Sequence, residues 1–409
     1  MGSKMPPGTR SRPWADLPVE LVELVLSRLD VFSVTLLAAV CAPWAMAVAA
    51  AKPSLPLGKP CLLASTKDDD RCSVLDLTDL VAGDRLWVGG KGAWLATIDA
   101  RCNLQLLNPY TGDRIDLPAV STIPGVEPNG GRRRRYGIRH LACPDDAFRK
   151  VVLCDTPSGG GAGGYLAVAI VAGRILAVAR GGDRIWTSLT NHRDMWAGYD
   201  DAVVHKGNLF AVDAEGVVFS WDLSRAAAAG DDGTPCPYPR RLGSSWRSPR
   251  ESVYQYNLAE SGDGRRLLAV CTHGKYVKVE KKPAGATVDL FVAGGMLVKQ
   301  LDVEANAGGW WWRPVTGLGG DRALLLGANW PIWATVGRGP PGQLLQPNCV
   351  YVAPAVLFGY PDEDFDVVVY DLSDKSCRQI KVCTGDRDDG FAIPIWFTPT
   401  LQTWNRRAS

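Results

Sequence analysis

Short apolar segments recur along the chain from Pro60 onward, and turn-forming residues separate them. The segments are rich in Val, Leu, Ile and Tyr and are bounded by Gly, Asp, Asn or Pro. This is the pattern of short strands joined by tight turns. The clearest segments lie at residues 94–98, 104–107, 150–154, 165–171, 175–179, 209–212, 217–221, 267–271, 288–292, 324–326, 350–352 and 367–370. The sequence therefore predicts an all-β chain of many short antiparallel strands.

Two of these stretches repeat each other. The first stretch has a strand, an Asp-Ala turn at Asp99 and a second strand that ends at Asn108. The other stretch has the same three elements, with its Asp-Ala turn at Asp213 and its second strand ending at Asp222. Repeated hairpins over about 345 residues favour a β-propeller, in which radial closure leaves no long exposed edge. At about 40–50 residues a blade, this length accommodates six to eight blades.

Residues 13–52 have a helical pattern instead. Eight of the thirteen residues from 17 to 29 are apolar, and Glu20 and Glu23 belong to a narrow polar stripe at helical spacing. Pro18 suits a first helical turn. So wide an apolar face exceeds what one or two short neighbouring helices cover, so we expect the remainder to be buried against another protein.

Residues 31–51 carry no charge, and their length alone would allow them to cross a membrane. Pro43 lies in the middle of this segment, and most of the other residues are Ala. Both features suit two short helices better, with Ser33 capping the first and Pro43 opening the second. A membrane-tethered propeller is the alternative.

The helical segment contains three motifs in a fixed order. They are Leu-Pro-Val-Glu-Leu at 17–21, Leu-Ser-Arg-Leu at 26–29 and Val-Cys-Ala-Pro-Trp at 40–44. Together they resemble the F-box, a small all-α module of three helices that binds the Skp-type adaptor of a cullin–RING ubiquitin ligase. The resemblance places an F-box at residues 13–55. It assigns to the core and adaptor surface of the module Leu17, Pro18, Leu21, Leu24, Val25, Leu29, Val40, Cys41 and Trp44.

The motif departs from the family pattern in two places. Ala45 stands where Arg usually follows the Trp, and Ala42 and Pro43 stand where a basic–polar pair is usual. These differences concern adaptor affinity more than fold.

Longer phrases beyond the helical segment resemble the KIB-type propeller domain of plant F-box proteins. They lie at residues 92–101, 106–118, 210–216, 320–327 and 346–351. The resemblance implies a propeller at 60–402 that recruits a substrate protein to an SCF-type ligase, while ubiquitin transfer occurs on the cullin and RING subunits. The chain would then be a non-catalytic receptor subunit from a plant, and its substrate is not identified by the sequence.

Four further segments have loop composition or lie at the N-terminus. We expect residues 1–12 to be disordered. Insertions near 126–135, 157–164 and 226–240 are rich in Gly, Arg or Ala, and are predicted to lengthen loops without adding strands.

The composition gives little support for chemistry within this chain. The four His have no metal-ligand spacing, the eleven Cys include no C-x-x-C pair, and the net charge of +2 does not favour nucleic acid. We therefore expect no metal, no cofactor and no catalytic residue, and a location in the nucleus or cytoplasm. The alternative is a propeller enzyme or small-ligand binder that uses Asp99 and Asp213, although turn formation explains both residues better.

Tryptophan is abundant, and three of the fifteen are consecutive: Trp310, Trp311 and Trp312. Side chains of a strand alternate between its faces, so all three cannot enter one core layer. Together with Trp330 and Trp333 they either line a substrate-recruitment surface or pack between neighbouring blades.

A basic run occupies the insertion near 126–135. It consists of Arg132, Arg133, Arg134 and Arg135. The run is either a nuclear-import signal or a solvated group of charges.

Overall fold

The computed structural model divides the chain into two compact units, residues 1–59 with 398–403, and residues 60–397 with 404–409. The structure describes residues 17–26, 28–29, 34, 37, 42–51, 60–63, 85–99, 103–108, 112–123, 126–129, 135–138, 148–155, 164–171, 175–189, 198–223, 239–242, 252–281, 286–302, 312–336, 345–354, 365–382 and 395–398. The predicted disordered segment 1–12 and most of the insertions near 157–164 and 226–240 lie outside these residues.

Two helices form the described part of the first unit, α1 (Val19–Leu26) and α2 (Ala42–Ala51). Pro43 occupies the first turn of α2, where the missing N–H of proline breaks no helical hydrogen bond. A small core forms around Val22, Leu26, Val34, Ala47 and Val48. None of the described helices is long and apolar enough to span a bilayer.

The second unit is built of strands, which we number in chain order. They are β1 (Cys61–Leu63), β2 (Arg85–Lys91), β3 (Trp94–Asp99), β4 (Leu104–Leu107), β5 (Arg114–Asp116), β6 (Val126–Asn129), β7 (Arg135–Ile138), β8 (Phe148–Asp155), β9 (Leu166–Val171), β10 (Ile175–Arg180), β11 (Thr187–Ser188), β12 (Tyr199–His205), β13 (Asn208–Asp213), β14 (Val218–Asp222), β15 (Arg240–Leu242), β16 (Ser252–Glu260), β17 (Leu267–Lys281), β18 (Ala286–Leu301), β19 (Arg313–Pro314), β20 (Arg322–Leu326), β21 (Ile332–Thr335), β22 (Cys349–Val352), β23 (Phe365–Asp371), β24 (Cys377–Val382) and β25 (Ile395–Phe397).

Four antiparallel meanders of four strands each repeat along the chain: β2–β5, β8–β11, β12–β15 and β16–β19. The first two meanders join through β8 and β2 into one eight-stranded sheet, and a further sheet has the order β21-β20-β22-β23-β24. Strand β1 pairs with β25, so the first and last strands of the unit meet. Meanders that repeat in sequence and a pairing between the two ends of the unit are the features by which a propeller closes its ring.

Burial on both faces explains the continuous apolar runs in the sequence. All six residues of β9 are buried. Ala167 and Ala169 belong to one core cluster, whereas Val168 and Ile170 belong to the next. A sheet that is covered on both sides needs apolar residues at every position rather than at alternate ones. The meanders therefore pack face to face, with one core between each neighbouring pair.

Two pairings are parallel, contrary to the expectation of a purely antiparallel chain. Strand β2 meets β8 at Gly89 and Val151, and β20 runs parallel to β22. The approach at Gly89 is so close that a Cβ there would lie 1.7 Å from the carbonyl oxygen of Val151, so only glycine fits.

The prediction that the insertion near 126–135 adds no strands was wrong. Strands β6 and β7 pair there as an antiparallel hairpin, with Val126 opposite Ile138. Residues 130–134, which include most of the Gly and Arg that suggested a loop, lie outside the described residues, and the alternating pattern of such short strands is weak.

Candidate functional sites

Helix α1 presents two apolar faces. Val22 and Leu26 are buried in the core of the helical unit, whereas Leu21, Leu24 and Val25 are 46%, 55% and 42% exposed. The exposed residues are spaced i, i+3, i+4, so they lie on one side of the helix. A second apolar face beside the one that builds the core is typical of a helix that binds another protein.

The other residues that the F-box resemblance singles out have mixed positions. Pro18 is exposed, and Trp44 on α2 is half-buried. Leu17 and Leu29 are half-buried and pack against the core of the helical unit. Val40 and Cys41 lie outside the described residues. The described residues of the motif thus divide between core and surface, and their contact with an adaptor stays a prediction.

In the propeller unit, Trp330 and Trp333 line one cavity of about 470 Å³. We call it the Trp330–Trp333 cavity; its other walls include Glu260, Gly262, Arg322 and Pro331. The indole Nε1 of Trp333 donates to the backbone oxygen of Glu260 at 2.9 Å. Two of the five predicted recruitment residues therefore share a concave site.

Trp312 has a different environment from that cavity. It is half-buried and packs against the core between the sheets β12–β15 and β16–β19, which contains Phe210 and Tyr256. Trp310 and Trp311 lie outside the described residues. The position of Trp312 agrees with packing between blades, the alternative to a recruitment surface.

A buried polar network was not predicted from the sequence. The Lys150 ammonium lies 2.6 Å from Asp201 Oδ1 and donates to the Gly327 backbone oxygen at 2.5 Å. The other carboxylate oxygen of Asp201 accepts from Asn257 Nδ2 at 3.2 Å and from the Leu258 amide at 3.0 Å. The only sequence signal was the presence of charged residues beside apolar runs.

Asp99 and Asp213 hold turns. Asp213 Oδ1 accepts from the amides of Glu215 and Val217 at 2.9 and 2.8 Å, and Asp99 accepts from the amide and side chain of Asn103. Burial raises the pKa of Asp213, although the two amides act in the opposite direction. Both carboxylates thus have the turn-forming role that the sequence favoured over a catalytic one.

The remaining sequence candidates provide no further site. Arg135 begins β7, whereas Arg132, Arg133 and Arg134 lie outside the described residues, so the import signal stays a prediction. In the part of the chain that the structure describes, no cluster of His, Cys, Asp and Glu is arranged to hold a metal ion.

The repeated meanders and the pairing of β1 with β25 define a β-propeller protein. A family model described as the KIB1-4 beta-propeller matches residues 63–371. The chain therefore belongs to the KIB1-4 β-propeller family.

Among curated relatives, the Arabidopsis thaliana F-box protein At2g05970 is 24% identical over 340 residues, which are 81% of this chain and 78% of that protein. A second Arabidopsis protein named for an F-box, At4g22660, is 29% identical over 127 residues, which are 27% of this chain and 31% of that protein.

Two solved structures are also similar. The N-terminal domain of Nup159 is 10% identical and the WD40 repeats of RRP9 are 11% identical, each with a TM-score of 0.29. The matches cover 76% of this chain and 65% of the Nup159 domain, and 79% of this chain and 85% of RRP9. A TM-score of 0.29 is too low to show that either structure shares this fold.

Proposed function

We propose that this chain is the substrate-recognition subunit of an SCF-type ubiquitin ligase. In this proposal α1 binds the Skp-type adaptor, the adaptor connects the chain to the cullin and RING subunits, and the propeller binds the substrate protein. The observation that carries the proposal is the exposed apolar face of Leu21, Leu24 and Val25 within an F-box-like motif. F-box names among the curated relatives support it.

The energetics of the exposed face are consistent with a protein partner. Complete burial of one Leu or Val side chain stabilises by about 1.5–3 kcal/mol relative to exposure. Three such side chains on one face of α1 are a cost to the isolated chain in water and a source of affinity in a complex. Glu20, which is exposed and lies four residues before Leu24, borders the apolar face and provides part of a polar rim.

The physical role of such a subunit is positional. Holding a substrate protein near the subunit that transfers ubiquitin raises the effective concentration of the substrate lysine, so the chain itself needs no chemistry. We also propose that it acts in the nucleus or cytoplasm, where the buried free thiols Cys154, Cys271 and Cys349 would stay reduced.

Affinity purification from plant cells under proteasome inhibition tests this proposal. The tagged wild-type chain should co-purify with adaptor, cullin and RING subunits and with substrate proteins that disappear when the inhibitor is omitted. The variant Leu21→Asp/Leu24→Asp should lose the ligase subunits and keep the substrates. Ile185→Asp is the matched control, because Ile185 is an equally exposed apolar residue in the propeller unit. Equal recovery of ligase subunits by both variants would contradict the proposal.

A further inference from the structure

The Trp330–Trp333 cavity has the walls and charges of a binding pocket. We propose that it holds one apolar side chain of an extended protein segment, with an adjacent Asp or Glu of that segment paired to Arg322. This inference rests on the proposed function, because it assigns the pocket to the substrate protein that the propeller would recruit.

The aromatic walls of the cavity are held in place by hydrogen bonds and a cation–π contact. Trp333 is fixed by the hydrogen bond from its Nε1 to the Glu260 backbone. The Trp330 amide donates to the Gly90 backbone oxygen at 2.8 Å, and Lys91 Nζ lies 4.0 Å from the centre of the Trp330 ring. Walls that are already ordered lose little conformational entropy when a ligand binds. The cavity is therefore suited to capture a small apolar group.

Arg322 provides the charge. Its Nη1 donates to the Gly262 backbone oxygen at 3.0 Å. A guanidinium has five N–H donors, so this bond leaves most of them for a ligand. Arg322 takes part in no salt bridge within the described part of the chain. An anchored guanidinium with unused donors binds a carboxylate through two parallel hydrogen bonds.

Gly262 makes this placement of Arg322 possible. A Cβ at position 262 would lie 2.3 Å from Arg322 Nη1 and 3.5 Å from Trp333 Cδ2. Any larger residue would push the guanidinium away from its backbone anchor. The glycine, the arginine and the tryptophan are thus packed together in the cavity lining.

Glu260 limits the charge of the ligand. One of its carboxylate oxygens lies 2.7 Å from His205 Nδ1, and the residue belongs to the cavity lining. A ligand with several acidic groups would be repelled by this carboxylate, whereas one acidic group can pair with Arg322. The cavity therefore favours a single carboxylate next to an apolar group over a highly acidic segment.

The size of the cavity agrees with this ligand. Its volume of about 470 Å³ lies within the range of roughly 300–1,000 Å³ that small ligands occupy. One large apolar side chain and the adjoining carboxylate fit such a volume. A free aromatic carboxylate shares the same chemistry, so the experiment must separate the two sources.

Fluorescence anisotropy with the full-length chain tests the inference. The probe is the fluorescein-labelled peptide Gly-Asp-Leu-Gly-Gly, titrated with protein into the millimolar range. Gly-Asn-Leu-Gly-Gly and Gly-Asp-Gly-Gly-Gly are the matched controls that lack the charge or the apolar side chain. We expect the first peptide to bind about tenfold more tightly than either control, the size of effect typical of a charge-assisted hydrogen bond or a buried apolar side chain.

Substitution of Arg322 connects the effect to the cavity. Arg322→Gln should remove the preference for the Asp peptide, and Arg322→Lys should keep part of it because the charge remains without the paired donors. Arg313→Gln is the matched control, because Arg313 is exposed on β19 away from the cavity lining. Thermal unfolding of each variant checks that the fold is kept. Equal binding of the Asp and Asn peptides, or a preference unaffected by Arg322→Gln and Arg322→Lys, would overturn the inference.

Two further measurements separate the possible failures. If phenylacetate binds in a way that depends on Arg322 while no peptide binds, the cavity is a small-molecule site and the assignment to a protein segment is overturned. Leu21→Asp should leave peptide binding unchanged. A loss of adaptor binding with peptide binding intact would count against the proposed function. A loss of peptide binding in a variant that still binds the adaptor would count against the cavity assignment alone.

Discussion

Lys150 on β8 and Asp201 on β12 form a buried ion pair, with 2.6 Å between Nζ and Oδ1 and side-chain exposures of 1% and 2%. Further bonds join this pair to Asn257 on β16 and to the Gly327 backbone that follows β20. Four sheets thus meet in one hydrogen-bond network. Because each partner lies in a different sheet, the network fixes the sheets relative to one another in a way that apolar packing alone does not.

Removal of the Lys150 charge should destabilise the propeller unit strongly. Lys150→Met leaves the Asp201 carboxylate buried without its cation, and breaking such a pair costs about 3–5 kcal/mol. Denaturant unfolding measures the loss. Lys275→Met serves as control, because Lys275 is exposed on β17 and its replacement should cost less than about 0.5 kcal/mol. Similar midpoints for the two variants would mean that the network is not a significant source of stability.

Gln379 secures the long hairpin β17–β18 against the next sheet. Its Oε1 accepts from the Ala293 amide at 3.0 Å, and its Nε2 donates to the Phe291 backbone oxygen at 3.2 Å. Gln379→Ala should therefore speed hydrogen exchange at the Ala293 amide about fivefold or more, equivalent to the loss of about 1 kcal/mol for one hydrogen bond. Gln300→Ala, which removes a side-chain amide from β18, the strand that contains Ala293, should leave this exchange rate unaltered. Exchange at Ala293 that is equally slow in both variants would show that another group protects it.

Asp213 should tolerate an amide better than a methyl group. Burial raises its pKa, so its stabilising contribution is complete below the unfolded value of 3.8 and is lost as pH rises through the folded value. Asp213→Asn keeps an acceptor for the turn amides without a charge, and should equal or exceed wild-type stability at pH 7. Asp213→Ala loses the acceptor, and should cost about 1–2 kcal/mol. Unfolding curves at pH 7 and pH 4 test the order, which is contradicted if the Asn variant is the least stable.

Two buried thiols should resist alkylation. Burial raises the pKa of Cys271 to about 12 and that of Cys349 to about 11. Only the thiolate reacts, so iodoacetamide at pH 8 should leave both residues unmodified in the folded chain and modify both in guanidinium. Peptide mapping by mass spectrometry reads the result. The same shifts mean that stability falls as pH rises above the unfolded thiol value of 9.0. Rapid labelling of folded Cys271 would contradict its burial.

The sequence was sufficient for the apolar strands and insufficient for several polar ones. Strands such as β9 and β13 were evident because each contains a run of at least four consecutive apolar residues. Strands β12 and β16 were missed, since buried polar residues such as Asp201 and Asn257 interrupt their apolar pattern. Both residues have hydrogen-bond partners on other sheets, and no local periodicity reports a partner 51 residues away.

The candidate sites were predictable to a similar degree. The helical period predicted a wide apolar face on α1, but not which of its residues are buried. Trp330 and Trp333 were predicted as candidate recruitment residues, without the cavity that they share. Arg322 and Glu260 were not, because their approach to Trp333 depends on how β16, β20 and β21 pack.

Direct binding to a purified Skp-type adaptor tests the central claim, that α1 makes this chain a ligase subunit. In isothermal titration calorimetry the full-length chain should form a one-to-one complex. Leu21→Asp/Leu24→Asp should weaken it at least about 100-fold, because burial of unpaired carboxylates costs several kcal/mol. Ile185→Asp should bind as wild type does. If the double variant binds the adaptor with wild-type affinity, or the wild-type chain does not bind it, the account is contradicted.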